Sequence, residues 1–242
     1  ADWVRKDLKV KSGKKRLVVG FDTRFLSQEY AEEVSCVLAK NNIQVYLSKG
    51  AIPTPALSFG VIHTKSVAGI MITASHNPGK FNGVRIKTDL GGGASADITD
   101  KVEKYLGKTP VKLDDFDSLK KKKLIVMHDF KVAYLKFMKS YVDLKKIKKA
   151  NFKVIQDVMH GSGGQILKEV LDGGKLKADL MRDDVNPSFD GGKPEPVEEY
   201  LSELKERVKK EKYDLGLVLD GDADRIAAVA PGGEFINPQK VL

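Results

Sequence analysis

Apolar runs of strand length alternate with stretches in which apolar residues return at helical spacing, and this alternation sets the expected architecture. RLVVGF (16–21) is a β-branched run and reads as a buried strand. Ser27 is the expected N-cap of the next helix, with Glu29 in its first turn and Tyr30, Val34, Val37 and Leu38 along one face. IQVYLS (43–48) reads as a second strand. Pro53 and Pro55 punctuate the chain and open a short helix near Ala56–Ile62. VAGIMIT (67–73) is the third strand and delivers a turn at Ser75. GVRIK (83–87) alternates as a further strand, and GGGAS (91–95) is a flexible turn.

Beyond Lys108 the pattern loosens into loop and lysine-rich helix. It restarts as a strand at FKVIQDVM (152–159), which leads into HGSGG (160–164) and a helix over Gln165–Leu171. A strand near Ala178–Met181, a Pro/Gly-rich loop over Asn186–Pro196 and an amphipathic helix over Val197–Lys210 follow. A strand over Leu215–Leu219 ends in DGDADR, and IAAVA (226–230) is the last recognisable strand. Two rounds of alternating strand and helix predict two consecutive α/β domains, each with a mixed, mostly parallel sheet flanked by helices. The boundary is expected near Phe130, giving domains over 1–130 and 131–242. No internal sequence repeat is visible, which leaves a shared topology of the two halves open.

Composition narrows the class. The 242 residues are 41% hydrophobic and 31% charged, a globular rather than a disordered balance. No apolar stretch is long enough to span a bilayer, and no signal-like segment opens the chain, so a cytoplasmic setting without a membrane partner is expected. Cys36 is the single cysteine, which rules out an internal disulfide and a cysteine-based zinc site. The net charge of +9 has two readings: solvated helix faces, which suit LKKKKL (119–124) and LKKIKKA (144–150), or attraction of an anion. Nucleic acid is not the expected partner, because no aromatic residues interleave with those lysines and no zinc-finger, zipper or RNP pattern is present. The chain opens at Ala1 on ADWVRKD, the tail of a helix, and closes at Leu242 on NPQKVL, the start of another element; it reads as a fragment or an engineered chain.

The candidate chemistry lies at two strand ends. DGDADR sets Asp220, Asp222 and Asp224 at alternate positions; in an extended segment their carboxylates point one way and repel unless a cation sits among them. All-oxygen ligation suits Mg²⁺ or Ca²⁺, and an EF-hand is excluded because Pro231 stands where its closing glutamate belongs. Arg225 follows directly, as a site for metal plus phosphate requires. Ser75 and His76 present a hydroxyl and an imidazole at the mouth of a sheet; alone, they read as turn formers. There is no G-x-S-x-G elbow for acyl transfer. A serine that carries phosphate needs amide donors, a nearby cation and a metal, and the acidic motif supplies the metal. HGSGG matches neither dinucleotide nor P-loop fingerprints and reads as a tight turn. His63 and His128 show no ligand spacing.

TASHNP (73–78), NGVRIK (82–87) and DGDADR (220–225) together resemble the α-D-phosphohexomutase family, which includes phosphoglucomutases and phosphomannomutases. VGFDTRFLS (19–27), PTPALSF (53–59), VMHGSGG (158–164) and NPSFDGGKPEP (186–196) extend the match in the family's order over nearly the whole chain. The resemblance implies the first two of four domains, with Ser75 carried as a phosphoserine and Mg²⁺ on Asp220, Asp222, Asp224 and a phosphoserine oxygen. It implies a phosphosugar substrate, interconversion of hexose 1-phosphate and 6-phosphate, and glucose 1,6-bisphosphate as phosphoryl donor. TASHNP leans toward the glucose and mannose branch. Two features depart from the family. Arg85 stands where a lysine is usual; arginine stabilises charge but is a poor base, which leaves His76 and Lys87 as acid/base candidates. The family's N-terminal Gly-Thr-x-Gly-x-Arg-Gly segment, sugar-recognition loop and distal phosphate loop are absent from this sequence, so the chain by itself is expected to be inactive. The competing reading is a non-catalytic module that binds phosphate and Mg²⁺. Oligomeric state is not legible.

Overall fold

The structure is a computed structural model that describes residues 1–9, 15–171 and 173–241. Leu242, on which the sequence reading of NPQKVL ends, lies outside the described residues. The chain divides into two compact units. The first comprises Ala1–Phe21, Leu26–Thr73 and Gly83–Phe130; the second comprises Asp22–Phe25, Ala74–Asn82 and Lys131–Leu242.

The first unit contains α1 (Asp2–Lys6), β1 (Arg16–Phe21), α2 (Ser27–Lys40), β2 (Gln44–Ser48), α3 (Thr54–His63), β3 (Ala68–Ile72), β4 (Val84–Thr88), α4 (Ala96–Glu103), α5 (Phe116–Lys121) and β5 (Ile125–His128). Its sheet has the order β4-β3-β1-β2-β5, with only β4 antiparallel to its neighbour. Central β1 is buried from Leu17 to Phe21, as its unbroken apolar run demands of a strand covered on both faces. Trp3, Leu17, Val19, Leu38, Leu47, Ile72 and Ile125 anchor the core.

Helix α6 (Phe130–Tyr141) joins the units. The second unit continues with α7 (Leu144–Lys149), β6 (Lys153–Asp157), α8 (Ile166–Leu171), β7 (Lys177–Met181), α9 (Ser202–Lys210), β8 (Leu215–Leu219), β9 (Ile226–Val229), β10 (Phe235–Ile236) and α10 (Pro238–Val241). Its sheet has the order β10-β9-β8-β6-β7. β7, β6 and β8 are parallel; β9 runs against β8 and β10 against β9. The order β9-β8-β6-β7 repeats β4-β3-β1-β2 strand for strand, so the halves share a topology without sharing a sequence repeat. The core gathers Ile155, Met159, Val218, Ala227 and Val229 of the sheet region with Leu204 and Val208 of α9.

The fold class is the expected one, and local details differ. Ser27 is the first residue inside α2 rather than its cap; Leu26, at φ +59°, takes the cap position without a side-chain bond. The buried residues of α2 are Ser27, Ala31, Ser35, Cys36, Leu38 and Ala39, all but Leu38 with small side chains, while Tyr30 is exposed. β5 falls in the stretch expected to be loop and helix. The expected helix over Val197–Lys210 is a short 3-10 turn at Glu198–Tyr200 followed by α9.

Candidate active site

The site is built within the second unit from segments that follow strand C-termini. After β8 the chain turns sharply around Asp220. Asp220 Oδ1 accepts from the amides of Asp224 at 3.0 Å and Arg225 at 3.1 Å, and its carbonyl accepts from Ala223 N at 3.0 Å. Ala223 takes φ +55°, a left-handed conformation that costs an L-residue energy and tightens the turn. The loop is therefore not the extended segment that the alternation of aspartates suggested. It converges the carboxylates by wrapping: Asp220, Asp222 and Asp224 each offer an oxygen within 4.8 Å of the others. Asp220 and Asp222 are buried and Asp224 is exposed. Burial first, and then the charges of Asp222 and Asp224, push Asp220 up to about 7. A set of hard oxygen donors that resist joint ionisation fits a divalent cation such as Mg²⁺. Arg225 contributes its backbone amide to the turn, and its side chain is exposed.

Ser75 follows β3 and takes φ +56°. It is fully buried rather than presented openly. Its hydroxyl donates to Asp220 Oδ2 at 3.1 Å and lies 3.4 Å from His76 Nδ1. His76 Nε2 lies 3.9 Å from Glu195 Oε1. Gly221 makes this approach possible: a Cβ there would stand 2.6 Å from the Ser75 carbonyl oxygen and 2.9 Å from Pro194 Cγ. Gly161 is similarly pressed against Gly221, and Ser162 N donates to Gly221 O at 2.9 Å. The HGSGG amide that could have held an anion is thus spent on bracing the acidic loop.

The Ser75 loop is shaped by one residue that sequence reasoning did not assign. Arg24 follows β1 and is almost fully buried. Its Nη2 donates to the carbonyls of Ser75 and Asn77, both at 2.6 Å, and its Nη1 to those of Pro78 at 2.9 Å and Phe81 at 3.0 Å. Its Nε donates to Asp22 Oδ2 at 3.1 Å. Every N–H of the guanidinium is used. Burial pulls the guanidinium pKa down, and Asp22, with Asp222 and Asp220, opposes the shift. The ring of Phe189 lies 4.9 Å from the guanidinium carbon.

The second unit therefore brings together Ser75, His76, Asp220, Asp222, Asp224 and the Arg225 amide. Arg85 and Lys87 stand on β4 of the first unit, opposite Met71 and Gly69 of β3, on one face of that strand.

Comparison with known proteins adds to this geometry. Residues 1–110 match the family model described as Phosphoglucomutase/phosphomannomutase, alpha/beta/alpha domain I, and residues 132–233 match that of domain II. The chain belongs to the phosphoglucomutase/phosphomannomutase family. Among curated relatives, "Probable phosphoglucosamine mutase" of Methanosphaera stadtmanae is 31% identical over 231 residues, covering 94% of this chain and 49% of the relative. "Phosphoglucomutase-1" of Homo sapiens is 30% identical over 250 residues, covering 92% and 44%. A crystal structure from Thermus thermophilus, provisionally named a phosphomannomutase, superposes with a TM-score of 0.83 at 34% identity, covering 95% of this chain and 52% of that one. The chain spans about half the length of the curated relatives it matches.

Within this phosphoglucomutase/phosphomannomutase fold, Asp22, Arg24, His160 and Glu195 join the neighbourhood of the assigned residues. A signal for Asp22 and Arg24 was present. β1 and β3 are adjacent parallel strands, so the segments after their C-termini emerge at the same end of the strands, the carboxyl end where α/β folds build their sites.

Proposed function

We propose that this chain is the phosphoserine and metal half of a phosphohexomutase that interconverts hexose 1-phosphate and hexose 6-phosphate. The observation that carries the proposal is the 3.1 Å bond from Ser75 Oγ to Asp220 Oδ2, in a loop where three carboxylates converge. A hydroxyl held against a divalent-cation donor set suits phosphoryl transfer, in which the protein mainly positions groups and stabilises charge. Ser75 carries the phosphoryl group. In the transfer step the Ser75 Oγ–P bond breaks and a bond from phosphorus to a sugar hydroxyl oxygen forms; that hydroxyl's proton passes to a base, and the departing Ser75 Oγ takes up a proton. The 3.4 Å separation of His76 Nδ1 from Ser75 Oγ suits His76 to the proton exchange at the serine oxygen. Arg85 and Lys87 enter through the family resemblance; Arg85 serves as a charge stabiliser and Lys87 as the alternative base. Asp220, Asp222 and Asp224, with an oxygen of the phosphorylated serine, would hold Mg²⁺, which when bound would neutralise charge on the transferring group. Arg225, which follows the acidic motif directly, is the phosphate-binding residue in this reading. The phosphoryl donor that loads Ser75 is glucose 1,6-bisphosphate. Residues 1–130 and 131–242 correspond to the family's first two domains, and the setting is cytoplasmic.

The sugar is glucose or mannose in this reading, from TASHNP. The relatives' names divide between glucose, mannose and glucosamine at similar identity, so the preference is set by assay. Coupled assays on the 1-phosphates of glucose, mannose and glucosamine, run on this chain joined to the second half of a full-length relative to give a full-length protein, test the proposal. Turnover of none of the three by the full-length protein would contradict it.

A further inference from the structure

The HGSGG turn, which no step above uses, lies where several loops of the second unit meet. His160 is almost fully buried, at φ +57°. Its carbonyl accepts from Thr23 Oγ1 at 2.8 Å, and its amide donates to Arg182 O at 2.7 Å. Its ring nitrogens reach two aspartates. Nε2 is 2.9 Å from Asp190 Oδ2; Nδ1 is 3.1 Å from Asp184 Oδ1 and 3.2 Å from the Asp184 carbonyl.

The Asp190 side of this contact is a strained turn. Phe189, Asp190 and Gly191 take φ values of +50°, +54° and +76° in succession, and only the glycine does so freely. Such backbone persists where its surroundings over-determine it. Phe189 is buried beneath Arg24. Both Asp190 oxygens are engaged, Oδ2 by His160 and Oδ1 by Asn186 Nδ2 at 2.8 Å. A few residues later the same loop gives Pro194 O to Gly221 N at 3.1 Å and brings Glu195 to His76.

We propose that His160 is a positioning residue: through Asp190 it locks the left-handed turn 189–191, and through that turn it sets Pro194 on Gly221 and so the placement of the acidic loop beside Ser75. The consequence for metal binding rests on the reading given under Proposed function; the mechanical coupling does not. Electrostatics favour the lock. Burial pulls the imidazole pKa down, but the bonds to Asp190 and the Asp184 carbonyl, with both aspartate charges, outweigh it and hold the pKa above its ordinary value. Asp184 and Asp190 are the charged groups facing the ring. The neighbouring Arg182 guanidinium pairs with buried Asp157.

The test compares Asp190→Gly, Asp190→Asn and His160→Gln in the 242-residue chain by hydrogen exchange of peptides over 215–225 and 74–82, with calorimetric Mg²⁺ titration alongside. If the Asp190 carboxylate were a surface group only, glycine would relieve the strained φ, raise the melting temperature and slow exchange. The lock predicts the opposite. Exchange over 215–225 should quicken roughly tenfold in Asp190→Gly and His160→Gln, as expected for losing a hydrogen bond to a charged group. Asp190→Asn, which keeps an acceptor oxygen, should recover part of the protection. Mg²⁺ affinity should fall in the same order, at temperatures where all four proteins are folded. Unchanged exchange over 215–225 in both Asp190→Gly and His160→Gln would overturn the proposal. Faster exchange in a chain whose wild type binds no Mg²⁺ would uphold the lock and defeat the metal reading instead.

Discussion

Arg24→Lys is the substitution that sequence alone would judge mildest and the structure judges severe. The guanidinium makes five bonds: one to Asp22 and four to carbonyls of the Ser75 loop. A lysine ammonium has three donors on a single nitrogen and cannot span them, so at least two bonds are lost. Hydrogen bonds to charged groups contribute about 1.5–3 kcal/mol each. Two losses therefore cost about 3–6 kcal/mol, less what water restores at the partly buried carbonyls of Asn77, Pro78 and Phe81. A net loss of about 3 kcal/mol is expected, within the range for breaking a buried charged contact by altering one partner. Because the chain forms two compact units, the assay is native-state hydrogen exchange read separately for peptides from β1–β5 and from β6–β9, with urea melts alongside. The loss should concentrate in 74–82 and 220–225. A change under about 1 kcal/mol, or a loss spread evenly over both units, would refute the view that Arg24 shapes the serine loop.

The same geometry carries four further outcomes. Gly221→Ala should destabilise the second unit by about 1–3 kcal/mol, because the new methyl meets the Ser75 carbonyl at 2.6 Å; circular-dichroism melts check it. Asp220, near 7 when folded against about 3.9 unfolded, holds a proton in the metal-free chain, so that chain should lose stability as pH rises from about 4 to 7. Mg²⁺ must displace that proton, so its affinity should rise roughly tenfold per pH unit below 7, and a flat calorimetric profile from pH 5.5 to 7.5 would contradict this. His160 shifts upward, so its pairing should stabilise the fold fully below about pH 6.5 and fade as pH rises through the raised value; the melting-temperature gap between wild type and Asp190→Asn should narrow accordingly.

The fold was largely legible because its central strands announce themselves. RLVVGF, VAGIMIT and LGLVL are buried apolar runs bounded by turn residues, and each lies within one residue of its expected place. β5 escaped notice because its four residues follow directly on a lysine-rich helix, and only pairing with β2 identifies them as a strand. The acidic cluster could be read from charge crowding, yet the reason for its convergence could not. Asp220 folds the loop by accepting backbone amides, which leave no trace in residue type. The place of Arg24 after β1 was legible, but its partners were not, since four of the five are backbone carbonyls. Burial of Ser75 was likewise not legible, because it depends on Gly221 being small across a sequence separation of 146 residues (221 minus 75).

In the proposed reaction Ser75 carries the phosphoryl group beside a metal-binding carboxylate cluster. Peptide mapping of this chain by mass spectrometry, after incubation with glucose 1,6-bisphosphate and Mg²⁺, tests it most directly. One phosphate on the TASHNP peptide at Ser75, absent from Ser75→Ala and reduced in Asp222→Asn, is the predicted result. Phosphate on another residue, or equal labelling of Ser75→Ala, would contradict it.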